Sequence, residues 1–306
     1  MIMCSRDHRT MDHDQKEENV MQDDTIRETE TDMQDTITTI FVLCDELLTA
    51  LNHQEDKQVH MHDAEVMTVG VTAAYFFSGH LENTRKFLKE HGYITKMLSE
   101  SRLNRRLHAI PELFWGALFQ SLASTFKGTN REQTYCVDSF PIPVCDNIRI
   151  DRCRLYEGEA YRGYIASKRR YFYGLRVHMI VTGSGEPVEF VLRPGAESDV
   201  RVYKDLNFDL PAGATCFADK MYNDYTHEDL LREAADIDMQ PTRKKQSKRR
   251  GSYLDERYKQ VMRKQVESSF SSITRFFPKT IHAVIPKGFE LKVVFFLLAF
   301  GIQSLL

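Results

Sequence analysis

In "ITTIFVLCDELLTAL", apolar residues at 37, 40, 41, 43, 47, 48 and 51 recur at the spacing of one helix face. A second helix is expected from about Asp63, a plausible N-cap, to Phe77, before Gly79. Shorter helices follow over 81–90 and 101–109, and Pro111, at a first-turn position, opens "PELFWGALFQSLASTF". After Gly128 the period changes to that of strands. "TYCVDSF" reads as a short buried strand that Pro141 and Pro143 bring to an end, with Asp138 at its end. "YFYGLRVHMIVT" and "EPVEFVLRPG" flank "GSGE", a hairpin signal. A helix over 198–206, a strand at "ATCFAD", a helix over 226–235, a strand near "DIDMQP" and a long helix over 255–275 complete the series. The long helix carries Val266, Phe270, Ile273 and Phe277 on one face. The order β-β-β-α-β-α-β-α predicts a mixed sheet flanked by helices, an α/β fold preceded by an all-helical segment.

The C-terminal run "FELKVVFFLLAFGIQSLL" is broken by Glu290, Lys292 and Gln303. Its uninterrupted apolar part falls short of the ~20 residues a bilayer requires, so it reads as a buried helix, with no membrane partner. Residues 1–34 hold ten acids against four bases and have almost no apolar periodicity, which predicts a disordered acidic tail without a signal sequence. The rest of the chain is mildly basic, so a nucleic-acid surface has to come from local clusters. Six cysteines at 4, 44, 136, 145, 153 and 216 form no CxxC pair and are expected to be reduced thiols in a cytoplasmic protein. The expected division is 1–34 tail, 35–127 helical and DNA-binding, and 128–306 catalytic.

Two acids occupy matching places: Asp138 at the end of the first strand and Asp219 at the end of "ATCFAD". Strand C-termini in α/β sheets open onto the crevice where ligands bind. Glu267 lies about 100° from the apolar stripe of the long helix, at the border of its core face. Three converging carboxylates repel unless cations neutralise them, and hard oxygen donors suit Mg²⁺ or Mn²⁺. Two such ions can activate an attacking oxygen and stabilise a leaving one in phosphodiester chemistry. The plain alternative for either Asp is a turn former or helix cap, and for Glu267 a solvated pair with Arg263 or Lys264. Asp199 reads as a helix N-cap, Asp146 and Asp151 as loop acids, and His178 as a structural histidine. "HMHD" at 60–63 offers two imidazoles without a partner cluster, and so no metal site.

Basic residues cluster in "RKKQSKRR", with Arg243, Lys244, Lys245, Lys248, Arg249 and Arg250, and in "SKRR", with Lys168, Arg169 and Arg170. Either cluster can hold a DNA backbone through phosphate contacts, or be a solvated loop. Arg105 and Arg106 in "RLNRRLH" lie on a helix that can serve in a helix-turn-helix or as plain support. Lys220, beside Asp219, and Arg263, four residues before Glu267, are further candidate phosphate contacts.

The run from "VDSFPIPVCDNIRI" through "GYIASKRRYFYGLRVHMIVTGSGEPVEFVLRPGAESDVRVY", with "FADKMYNDY" and "RKQVESSFSSITRFFPKTIHA", resembles the catalytic domain of bacterial insertion-sequence transposases of the IS nine-eight-two type. The resemblance spans roughly residues 35–306. It implies a ribonuclease-H-like fold and a metal-dependent triad of Asp138, Asp219 and Glu267, spaced by 81 and 48 residues. It also implies two Mg²⁺ or Mn²⁺ ions, DNA cleavage at transposon ends, strand transfer into target DNA, and a homodimer on DNA near the nucleoid. Related transposases place a Tyr, an Arg and a Lys around the Glu. Arg263 fits, whereas Gln260 and Thr274 stand at the other two positions and Arg275 is adjacent. A structure-specific nuclease of the same fold and an inactive DNA-binding relic are the alternatives. Intact acids at all three positions speak against the relic.

Overall fold

A computed structural model describes residues 31–243 and 246–306. Residues 31–50 are helical (α1), so residues 31–34 of the expected disordered tail belong to a helix; residues 1–30 lie outside the described set. Helices α2 (Asp63–Phe76), α3 (Leu81–Glu90), α4 (Glu100–Ala109) and α5 (Glu112–Thr129) follow, with Pro111 as the N-cap of α5. Then come β1 (Thr134–Cys145), β2 (Arg162–Ile165), β3 (Arg170–Thr182), β4 (Pro187–Pro194), α6 (Asp199–Asp205), β5 (Thr215–Ala218), α7 (Tyr225–Ala235), β6 (Asp238–Pro241), α8 (Tyr253–Phe276) and α9 (Pro286–Leu305).

The strands form one mixed sheet. β4, β3 and β1 run antiparallel to their neighbours, while β1, β5 and β6 are parallel, and the short β2 pairs with the first residues of β3. β2 was not expected: four residues with one buried position carry too little periodicity to read as a strand.

β1 differs from expectation in an instructive way. It does not stop at its prolines but continues to Cys145, with Pro141 opposite Arg176 and Pro143 opposite Gly174. The reason lies in its other edge. β5 pairs with β1 only from Thr134 to Val137, so from Asp138 onward β1 has a partner on one side alone. Two prolines two residues apart share one edge, and an unpaired edge has no need of their missing N–H groups. Asp138 therefore sits within a strand, at the point where the parallel ladder ends. The register shifts between Pro143 and Cys145, and opposite this bulge β1 and β3 approach closely. A Cβ on Gly174 would lie 2.3 Å from the carbonyl oxygen of Ile142.

α8 lies across β1 and β5, where Phe140 meets Phe270 and Phe277 edge-on at 6.3 and 5.7 Å and Phe217 meets Tyr258 at 5.8 Å. Phe270 and Ile273 are buried as expected; the Val266 side chain lies outside the described set. α9 is long and apolar enough to cross a membrane by length and composition. Here it is a core helix: Phe289, Val293, Phe296 and Leu297 are buried, Phe295 meets the Trp115 ring at a tilt with centroids 4.8 Å apart, and α2 lies alongside. Gly70 of α2 makes that approach possible, since a Cβ there would come within 2.8 Å of the Phe295 ring. α5 covers β4 through Phe119 and Phe190. The apolar core is continuous from α1 to α9.

The tight β1–β3 crossing gives a direct check. Gly174→Ala should destabilise the protein by ~1–3 kcal/mol through backbone overpacking, read as a fall in the thermal unfolding midpoint. An unchanged midpoint would mean the two strands are not packed this closely.

Candidate active site

Side chains alternate along β1, so Cys136, Asp138 and Phe140 face α8, while Val137 and Ser139 face α6. The last parallel pair of the sheet is Val137 with Ala218. The next residue on each strand is an acid, which sets Asp138 and Asp219 side by side at the mouth of the sheet. Each carboxylate accepts the N–H of the residue after it: Ser139 to Asp138 Oδ1 at 2.8 Å and Lys220 to Asp219 Oδ1 at 2.5 Å. Those bonds fix both side chains against the strand ends. Thr242, just past β6, ties its N–H to the Ala218 carbonyl at 3.0 Å and brings its hydroxyl to 3.5 Å from Asp219.

α8 delivers the third acid. A capping box of Ser252 and Asp255 starts the helix, and its aromatic contacts with the sheet fix its rotation. Arg263 Nη1 is 3.2 Å from Asp219 Oδ1, and its Nη2 is 3.2 Å from Glu267 Oε1. One guanidinium thus bridges the two acids, with Glu267 (side chain 54% exposed) on the open side. Arg263, expected as a phosphate contact, is in this structure the internal counter-cation of the triad.

Electrostatics follow from burial. Desolvation pushes the Asp138 carboxyl up to about 6; the Ser139 N–H and Arg263 work against that shift, while Asp219 and Asp199 add to it. Asp199 is a fourth acid that the sequence reading missed. Its expected cap role belongs to Ser198, and Asp199 is the first residue of α6. Burial raises its pKa as well, and Ser139 Oγ donates to its Oδ1 at 3.4 Å. No period in the sequence marks it; only the turn of Ser139 toward α6 brings it near. His178 is fully buried and its pKa is pushed down to about 3, by burial first and then by Arg176 and Arg193. Its Nδ1 lies 3.3 Å from the Tyr222 hydroxyl, as suits a neutral structural imidazole.

The basic residues divide into free and engaged. Arg105, Lys168, Arg169, Arg170, Lys220, Lys248 and Arg250 are exposed. Arg243 is not available to a phosphate: its side chain is 5% exposed and grips the equally buried Glu228 through two hydrogen bonds of 2.8 and 2.6 Å, beneath Tyr225. Arg106 is taken by Asp63 at 2.5 Å, and Arg249 by Asp229 through two bonds of 2.7 Å. Sequence shows a run of charge but not which members turn inward to meet acids on α2 and α7. Lys244 and Lys245 lie outside the described residues. Thr274 and Gln260, where relatives of the resembled family carry Lys and Tyr, are on α8.

Three carboxylates on adjoining elements, with a fourth behind them, supply only hard oxygen donors. The set fits Mg²⁺ or Mn²⁺ and suits neither thiolate- nor imidazole-seeking metals. The buried Cys136 does not change this, since burial first pushes its thiol up to about 12.

An acid whose folded pKa exceeds its unfolded value stabilises the fold at low pH, and that contribution is lost as pH rises through the folded pKa. For Asp138 the window runs from about 4 to about 6. Asp138→Asn should therefore raise metal-free stability at pH 7, by an amount on the order of 2–3 kcal/mol. The advantage should vanish below pH 4. Equal melting curves for both proteins at pH 7 would remove burial as the cause of the shift.

The family model described as Transposase DDE domain matches residues 128–282, an interval that begins just before β1, ends after α8 and contains Asp138, Asp219 and Glu267. No curated protein and no solved structure matches the chain. The matched interval is half of the sequence and holds the whole acid cluster, and the chain belongs to the transposase DDE-domain family.

Proposed function

We propose that the protein is the transposase of a bacterial insertion sequence of the IS nine-eight-two type, with a ribonuclease-H-like catalytic core. In this reading it cuts DNA at transposon ends and joins the freed 3′-hydroxyl to target DNA. The observation that carries the reading is the meeting of Asp138 and Asp219 at the end of the β1–β5 ladder, with Glu267 joined to Asp219 through Arg263. The strand order, three antiparallel followed by two parallel, also supports the fold assignment.

Asp138, Asp219 and Glu267 are the residues that would hold divalent cations. Such ions supply Lewis acidity, lowering the pKa of an attacking water or hydroxyl and stabilising the leaving oxygen. The chain's own part is positional. The Ser139 and Lys220 N–H groups keep two carboxylates aimed at one place, and α8 brings the third without closing the cleft on its exposed side. Arg263 draws on the same carboxylate oxygens as a cation does, so charge balance controls how strongly the acids take up metal.

DNA would be held by the free bases. Arg170 lies nine residues along β3 from Met179, the partner of Asp138, which is ~30 Å at strand rise. That separation is about nine base steps of duplex. Lys220 flanks the acids directly, and Arg105 extends the basic surface onto α4. Two transposon ends must be handled together, which calls for a homodimer on DNA in the cytoplasm, at the nucleoid.

Purified protein with Mg²⁺ or Mn²⁺ should cleave a DNA fragment bearing the element's terminal repeats and join pre-cut ends to a plasmid. Asp138→Asn or Glu267→Gln should lower both steps by more than about 10²-fold while leaving DNA binding in place. Cleavage without joining of pre-cut ends would make the protein a nuclease of the same fold. Replacing Arg263 by Ala should enlarge the rise in melting temperature caused by Mn²⁺, since it leaves the acids unneutralised. A smaller rise would contradict its role as their counter-cation.

A further inference from the structure

The loop between α1 and α2 has no regular structure of its own, yet two of its donor side chains, His53 and Glu55, converge on Asp63 at the start of α2. His53 Nε2 lies 2.8 Å from Asp63 Oδ2, and His62 Nδ1 lies 3.1 Å from Glu55 Oε2. Donor atoms of His53, Glu55 and Asp63 all fall within 4.8 Å of one another. "HMHD" looked isolated in the sequence because the partners of His62 and Asp63, Glu55 and His53, sit seven to ten residues upstream and meet them only when the loop folds back on α2.

We infer that His53, Glu55 and Asp63 form a binding site for one zinc ion, separate from the acid triad, with His62 as the outer partner of Glu55. Asp63 gives its Oδ1 to Arg106 at 2.5 Å and turns Oδ2 to His53. Glu55 gives its Oε1 to the N–H of Asp63 at 2.6 Å and turns Oε2 to His62. Each carboxylate is thus fixed through one oxygen and presents the other toward an imidazole, the arrangement by which outer hydrogen bonds orient metal ligands. An imidazole nitrogen beside two carboxylate oxygens favours zinc over magnesium, the reverse of the all-oxygen triad. A tetrahedral ion with bonds near 2.0–2.1 Å separates its donors by roughly 3.3 Å, a contraction from the 4.8 Å that already encloses the donor atoms of all three residues. An ion there would clasp the α1–α2 loop to the first turn of α2 and, through Arg106, to α4. It is a structural clasp for the helical segment, remote in chemistry from strand transfer.

The test uses the full chain carrying Asp138→Asn and Glu267→Gln, so that the triad's own cation binding is suppressed. After dialysis against a chelator, Zn²⁺ is titrated in competition with a chromophoric chelator, and melting temperature is followed in parallel. One Zn²⁺ per chain should bind, with a rise in melting temperature. Adding His62→Ala, which removes the outer partner of Glu55 and the cap side chain of α2, should weaken zinc binding 10- to 100-fold and lower the metal-free melting temperature by no more than the loss of a helix cap. Adding His53→Ala should abolish binding. No bound zinc at micromolar concentration overturns the inference and leaves two histidine–carboxylate pairs. Undiminished zinc binding in the His62→Ala chain overturns it as well.

Discussion

Two carboxylates at neighbouring register positions of a parallel strand pair repel each other, and much of the molecule contains that repulsion. The Val137–Ala218 pair ends the ladder and leaves Asp138 and Asp219 abreast. Neither can move off, because each is bonded to the N–H that follows it. Relief comes from α8, which lays Arg263 against Asp219 and Glu267. The helix can do so only because Phe140, Phe217, Phe270 and Tyr258 lock its rotation on the sheet. The raised pKa of Asp138 comes first from burial, and the Asp219 charge adds to it.

The same geometry accounts for the shape of the cleft. β5 has four residues and β1 has twelve, so β1 projects past its parallel neighbour and exposes one edge. Prolines 141 and 143 occupy that projecting half. They keep an otherwise open edge from recruiting another strand, a standard hazard of unpaired β edges. Substrate can then approach beside the acids without competing against backbone pairing.

Most of the fold was legible because its signals are local. α1, α2, α5 and α8 announced themselves by period, and the β3–β4 hairpin by "GSGE" between two apolar runs. Asp138, Asp219 and Glu267 were legible through spacing and resemblance together. What stayed hidden depends on contacts between distant segments. Asp199 joins the acids only because β1 alternation turns Ser139 to α6. Arg243 and Arg106 are lost from the basic surface through Glu228 and Asp63, which no charge run reveals. The end of β1 was misread because proline was judged without knowing that its edge has no neighbour.

α2 and α9 pack together from far apart in the sequence, with Gly70 set against Phe295 across 225 residues. α2 is buried along nearly its whole length, so no face of it is suited to water. During synthesis it leaves the ribosome long before the helix that covers it. A nascent chain therefore carries a bare apolar rod while the whole sheet is still being made, an interval in which chaperone capture or aggregation competes with folding. Completion of α9 closes that interval, so premature termination anywhere before it yields a polypeptide that cannot hide α2.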